Sequence, residues 1–275
     1  MWAFENPSIW DKIKNIGLNC DDAMKLCTQS MHTGPSLIPS IPARDIVVLE
    51  AKQHPPKMGF AHKEGLARML HDLAGIELQA MELGLRTLVE FPEAPHGFRE
   101  ELRNVTLSEA EHLRMCLEGI QDLGFQWGDW PVHCGLWAAV ASEDSILDRI
   151  LIVHRYLEGS GLEAGDGLVK RLEGVNSPGT RNIVKQINFE EIGHVDFGSR
   201  WYREICLQEK RDSVADFPER MFALRERLPK RVEKISREIR RKAGFTEAEI
   251  DYYESLRAEF LIPYKIRLEE KAKQS

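Results

Sequence analysis

No Cys-x-x-Cys pair occurs in the 275 residues, and the five cysteines (Cys20, Cys27, Cys116, Cys134, Cys206) are odd in number and widely spaced. A zinc ribbon and a disulfide framework are thereby excluded, and reduced thiols are expected. No run approaches 18 uncharged apolar residues, which removes a membrane-spanning helix and with it a membrane partner. The start, Met-Trp-Ala-Phe-Glu-Asn-Pro, lacks the basic region and apolar core of a secretory signal, so a cytoplasmic location is the expectation. Walker-type phosphate loops, Rossmann glycine patterns and nucleophile elbows are missing as well, which sets aside nucleotide-binding and serine-hydrolase chemistry. Positive charge is not in excess. A net charge of -7 and a pI near 5.8 weigh against a general nucleic-acid binder.

A 43% hydrophobic content is enough for a substantial core, in one large domain or two small ones. Counting in helical steps of three and four, Val184, Ile187, Glu191, His194, Gly198, Trp201 and Ile205 fall on one face. A carboxylate and an imidazole thus point where a core belongs, and a cation is the natural partner for such burial. The pattern recurs upstream, where Leu102, Val105, Glu109, His112, Cys116, Ile120 and Leu123 form a stripe broken by another Glu-x-x-His. Dimetal carboxylate bundles take a Glu-x-x-His from each of two helices and one Glu from each of two others. Glu77 fits the third place, within Leu66, Leu70, Leu73, Ala80 and Gly84. Glu158 fits the fourth, sharing a face with Leu147, Leu151, His154, Gly161, Gly165, Leu168 and Leu172. Glu163 lies about 140° from Glu158 at 100° per residue, and Glu82 and Glu190 are also off their stripes.

The expected metal ligands are therefore Glu77, Glu109, His112, Glu158, Glu191 and His194. Hard carboxylates with two imidazoles suit two Fe ions, with Mn or a mixed Mn/Fe pair as the alternative. His154, one turn before Glu158, is the candidate catalytic residue, either supporting the ligands or lining a pocket; its alternative is a hydrogen-bonded core histidine. The glycines at 159, 161, 165 and 167 point to a cavity or a π-bulge beside Glu158, or else to close helix packing.

The stretches His71 to Leu83 (HDLAGIELQAMEL), Glu109 to His112 (EAEH), Trp127 to Trp137 (WGDWPVHCGLW), Glu158 to Glu163 (EGSGLE) and Glu191 to Trp201 (EIGHVDFGSRW) resemble the ferritin-like superfamily. Within it the chain is most similar to the bacterial DUF455 family, related to the tRNA-modifying di-iron hydroxylase MiaE. The resemblance covers roughly residues 64 to 207 and implies a di-iron oxidoreductase. Two departures reshape the expected pocket: the family usually carries His where Gly75 stands, and Ala-Arg-Gly-Leu-Asp where this chain reads Gly159-Ser160-Gly161-Leu162-Glu163.

The expected architecture is all-α, a ferritin-like four-helix bundle over residues 61–210 with one long crossover, because the connections read short, long, short. An N-terminal wrap (1–60) holds two short helices, Pro7 to Ile16 and Asp21 to Met31, with Trp2, Phe4 and Trp10 as anchors. A C-terminal extension (211–275) holds helices at Asp216 to Leu228, Arg231 to Ala243 and Thr246 to Leu261, the last opened by a Thr246-x-x-Glu249 capping box. Lys and Arg outnumber Glu between Arg220 and Lys242, which reads first as a solvated helix face and otherwise as the one place where an acidic partner such as nucleic acid would fit. The reading is a monomer or small homo-oligomer that takes electrons from a donor and activates O2 to oxidise a small-molecule or modified-macromolecule substrate. Its rivals are an iron-handling ferroxidase, store or peroxide-detoxifying protein, and a metal-free helical interaction module.

Overall fold

The computed structural model describes residues 1–26, 38–231 and 233–272, with side chains described up to Ile262. Cys27 and the 27–31 end of the expected second helix lie outside the described residues. The protein is all-α, and among the described residues the one β pairing is an isolated bridge between Val48 and Val132. No described helix is long and apolar enough to cross a membrane. Contacts divide the chain into two compact units, Met1–Ile146 with Val169–Ile187, and Leu147–Leu168 with Asn188–Ser275.

The first unit is built on a helical hairpin, α2 (Lys63–Glu90) and α3 (His96–Asp122), with α1 (Ile9–Met24) packed against both. Strong helix formers, chiefly Leu, Ala, Glu and Met, dominate α2, which is buried over most of its length. It ends where Pro92 follows Phe91. The hairpin is tight at Gly84, where a Cβ would lie 2.2 Å from Thr106 Oγ1, so glycine sets how closely α2 and α3 approach. Gly124, at φ +88°, closes α3: its N–H donates to the Gln121 carbonyl and that of Phe125 to the Ile120 carbonyl, the pattern of a Schellman cap. The α3 helix runs straight through Thr106, whose hydroxyl donates to the Leu102 carbonyl.

The second unit contains most of α4 (Ile146–Ile150), a π-helical stretch (Leu151–Leu157) and α5 (Glu158–Leu172) as far as Leu168, which follow without a break. It also holds the later part of α6 (Pro178–Gln208), then α7 (Ser213–Leu224), α8 (Arg237–Lys242) and α9 (Glu247–Ala272). α9 packs against α7 and α8. Its start carries the expected capping box, with Thr246 N–H donating to Glu249 and Glu249 N–H to Thr246 Oγ1.

Three local expectations are corrected. A single helix, α1, replaces two short ones, because packing on α2 and α3 outweighs the cost of Gly17 in a helix interior. The middle C-terminal helix begins at Arg237, not Arg231, leaving residues 229–231 and 233–236 non-helical. Of the three aromatic anchors, Phe4 is fully buried 6.1 Å from Trp137 and Trp2 stacks on Phe4, whereas Trp10 is 44% exposed.

Candidate metal centre

Each unit contributes its own set of carboxylates and imidazoles. In the first, helical spacing on α3 places Glu109 Oε2 3.4 Å from His112 Nδ1, and Glu77 on α2 brings its Oε2 within 3.6 Å of the same nitrogen. These three side chains are 5% exposed or less. Cys116 follows one turn after His112 and is fully buried; desolvation, then the nearby Glu77 charge, pushes its thiol well above its usual range and keeps it protonated.

In the second unit, Glu191 and His194 on α6 approach to 3.4 Å. Their side chains are 13% and 8% exposed, so this pair is slightly more open than its counterpart on α3. His154 Nδ1 sits 2.9 and 3.0 Å from the two Glu158 oxygens. Gly198 is what lets α6 come so near, since a Cβ there would lie 2.5 Å from His154 Cβ. Phe197 closes edge-on against the imidazole at 5.0 Å. The π-helical stretch ends immediately before Glu158, two residues before the first of the glycines that suggested it.

One donor atom from each of Glu109, His112, Glu191 and His194 lies within 4.8 Å of the others, and the four together could hold metal ions. Among the described residues this is the one such group of three or more His, Cys, Asp or Glu side chains. Burying two carboxylates and two imidazoles at this separation is costly without a cation and favourable with one. Glu77 adjoins the group through His112, whereas Glu158 is paired with His154; neither belongs to the four-residue set.

Glu163, the carboxylate left off the stripe, is held elsewhere. Arg240 grips both its oxygens at 2.9 Å and Arg257 adds a third contact at 2.9 Å, all buried. The expected cavity at the glycines is also partly filled, since a Cβ at Gly159 would meet the Arg240 guanidinium and one at Gly165 the Asn188 side chain. Asp196 and Arg200 form a surface i,i+4 pair at 2.9 Å. Much of the basic charge between Arg220 and Lys242 is neutralised within the chain: Arg220 pairs with Asp148 and Asp216, Arg237 with Glu247, Asp251 and Glu254, Arg241 with Glu247, and Lys242 with Glu238. Cys20, Cys116, Cys134 and Cys206 are free thiols.

The profile of a family described as "Protein of unknown function (DUF455)" matches residues 8–251. An uncharacterized protein from Haemophilus influenzae is 32% identical over 231 residues, covering 79% of each chain. No solved structure matches significantly.

Proposed function

The chain belongs to the DUF455 family, and from the chemistry of its buried Glu/His cluster we propose that it is a cytoplasmic non-haem dimetal carboxylate oxidoreductase with a ferritin-like arrangement of its ligand helices. The observation that carries the reading is the convergence of Glu109, His112, Glu191 and His194 within 4.8 Å. Glu109 and His112 would hold one ion, and Glu191 and His194 the other. Glu77, beside His112, and Glu158, beside His154, would complete a set of four carboxylates and two imidazoles. When bound, a reduced pair of Fe or Mn ions supplies O2 activation for oxidising an organic substrate, with electrons from an external donor.

The protein's own residues orient and enclose. Four carboxylates offset the charge of two divalent ions, and each Glu-x-x-His turn fixes one nitrogen and one oxygen on the same helix face. His154 holds a hydrogen bond on Glu158 and so fixes the direction of that carboxylate. The flanking apolar residues, Ile120, Leu113 and Val195 among them, are buried and keep bulk water from the ligands.

Metal analysis of the protein purified from its native host tests the site. Two ions per chain are expected, with at least one lost in Glu191→Ala. Equal metal content in wild type and a Glu109→Ala/Glu191→Ala variant would remove the site. Aerobic addition of excess ferrous iron, followed by size-exclusion chromatography with iron analysis, separates the rival. A stoichiometric O2 uptake that stalls without substrate supports the oxidoreductase; a large shell retaining hundreds of irons would make the protein a store.

A further inference from the structure

A cavity of about 440 Å³ lies in the first unit beside the last turns of α2, lined among others by Ile38, Arg86, Glu90, Trp137, Val140 and Glu143. Its size falls within the roughly 300–1,000 Å³ of small-molecule sites. At about 1.5 Å per residue, Arg86 stands roughly 14 Å beyond Glu77 along the helix, so a ligand held there is outside the metal centre.

Arg86 is the single cation among the described residues of the lining, and its side chain is 7% exposed. It is held from two sides. The guanidinium carbon lies 4.7 Å over the Trp137 ring, and Nε donates to both Glu90 oxygens at 3.1 Å. Trp137 is itself fixed: it is 3% exposed, its Nε1 donates to the Ser40 carbonyl at 3.1 Å and its backbone N–H to Gln79 Oε1 at 3.3 Å. Nη1 and Nη2 of Arg86 make no hydrogen bond among the described residues. Unmet donors on a side chain this buried are costly, and an anion removes that cost. A guanidinium stacked on a ring and anchored at Nε keeps its Nη edge as a planar fork with little left to order on binding, the geometry that a carboxylate meets with both oxygens.

We propose that this cavity binds a monocarboxylate with a short branched apolar body, its two oxygens accepting from Arg86 Nη1 and Nη2. Ile38, Pro39 and Val140 supply apolar surface for the body. The lining selects against higher charge. Glu90 already balances Arg86 and Glu143 adds a second carboxylate, so a further anionic group on the ligand finds no cation to meet and two like charges to oppose it.

The test is calorimetric titration of the full chain with isovalerate, with its neutral isostere isovaleramide and with the dianion glutarate. Saturable isovalerate binding is expected, with the amide and glutarate each at least about tenfold weaker. Arg86→Gln should weaken isovalerate by the same factor, with helical circular dichroism and the metal content of the Glu/His cluster unchanged. Should that variant not fold, Ala138→Trp reads the same site: Ala138 is an exposed residue of the lining, and an indole there should exclude the ligand while Arg86 stays in place. No saturable isovalerate binding, equal binding of isovalerate and either of the other two ligands, or folded variants that bind isovalerate like the wild type would overturn the proposal.

Discussion

Glu163→Gln separates the ligand carboxylate on α5 from its structural neighbour. Glu163 is the single anion between two buried guanidiniums, those of Arg240 and Arg257, and its side chain is 3% exposed. Glutamine keeps the shape and part of the hydrogen bonding but leaves both cations without a countercharge. Breaking a buried ion pair by removing one partner costs about 3–5 kcal/mol. With an unfolding entropy of roughly 2.1 cal/mol/K per residue, 275 residues give about 0.6 kcal/mol/K, so Tm should fall by roughly 5–9 °C. Metal content should not change, since the carboxylate is engaged by arginine and lies off the ligand face. Glu158→Gln should do the reverse, losing metal while the apo protein melts close to the apo wild type. Differential scanning calorimetry with metal analysis of both variants reads the two effects together. A Glu163→Gln protein that loses as much metal as Glu158→Gln, with an unchanged apo Tm, would refute the assignment of the two carboxylates.

Three further outcomes follow from local features. Burial holds the His71 imidazole down at about 4, below its ordinary 6.5, so the unfolded chain takes up the proton first; stability present above pH 6.5 is lost as pH falls toward 4. His71→Leu should flatten that part of the urea-melt pH profile, by up to about 3 kcal/mol at its acid end, and an unaltered profile would show that His71 is not the group. Lys210 caps α6 at φ +56°, a left-handed conformation that glycine adopts without strain; Lys210→Gly should raise stability by about 0.5–1 kcal/mol in denaturant melts, and a loss would contradict the strain. Gly84→Ala drives a methyl onto Thr106 and should cost about 1–3 kcal/mol, with part recovered in Gly84→Ala/Thr106→Ala; additive losses in the double-mutant cycle would mean the two helices do not meet there.

The ligand helices are legible because a buried carboxylate stands out against a 3.6-residue apolar period, and Glu109, His112, Glu191 and His194 each interrupt such a stripe once. Local patterns carry no information on partners far along the chain. The reading could place Glu163 off the face, yet not name Arg240 and Arg257, which lie 77 and 94 residues away. Charge counts along the sequence likewise ignore acidic partners such as Asp148, 72 residues from Arg220. Glycine was an ambiguous signal: at 159 and 165 it admits an arginine and an asparagine side chain.

The π-helical stretch bears on how this site can vary by inheritance. A π turn closes hydrogen bonds one residue further along than an α turn, so it accommodates an inserted residue within an otherwise α-helical path. Deleting one residue between Leu151 and Leu157 would let that path relax to regular α-helix while Leu147 and Ile150, both in the core, keep their phase relative to Glu158. A length change elsewhere in the helix, with no π turn to absorb it, would turn what precedes it by about 100° relative to Glu158. At this point descent can therefore lose one residue without moving the ligand-bearing face, as it can change length in the connection between Leu123 and Ser145, which has only a short 3₁₀ turn at Trp137–Ala139.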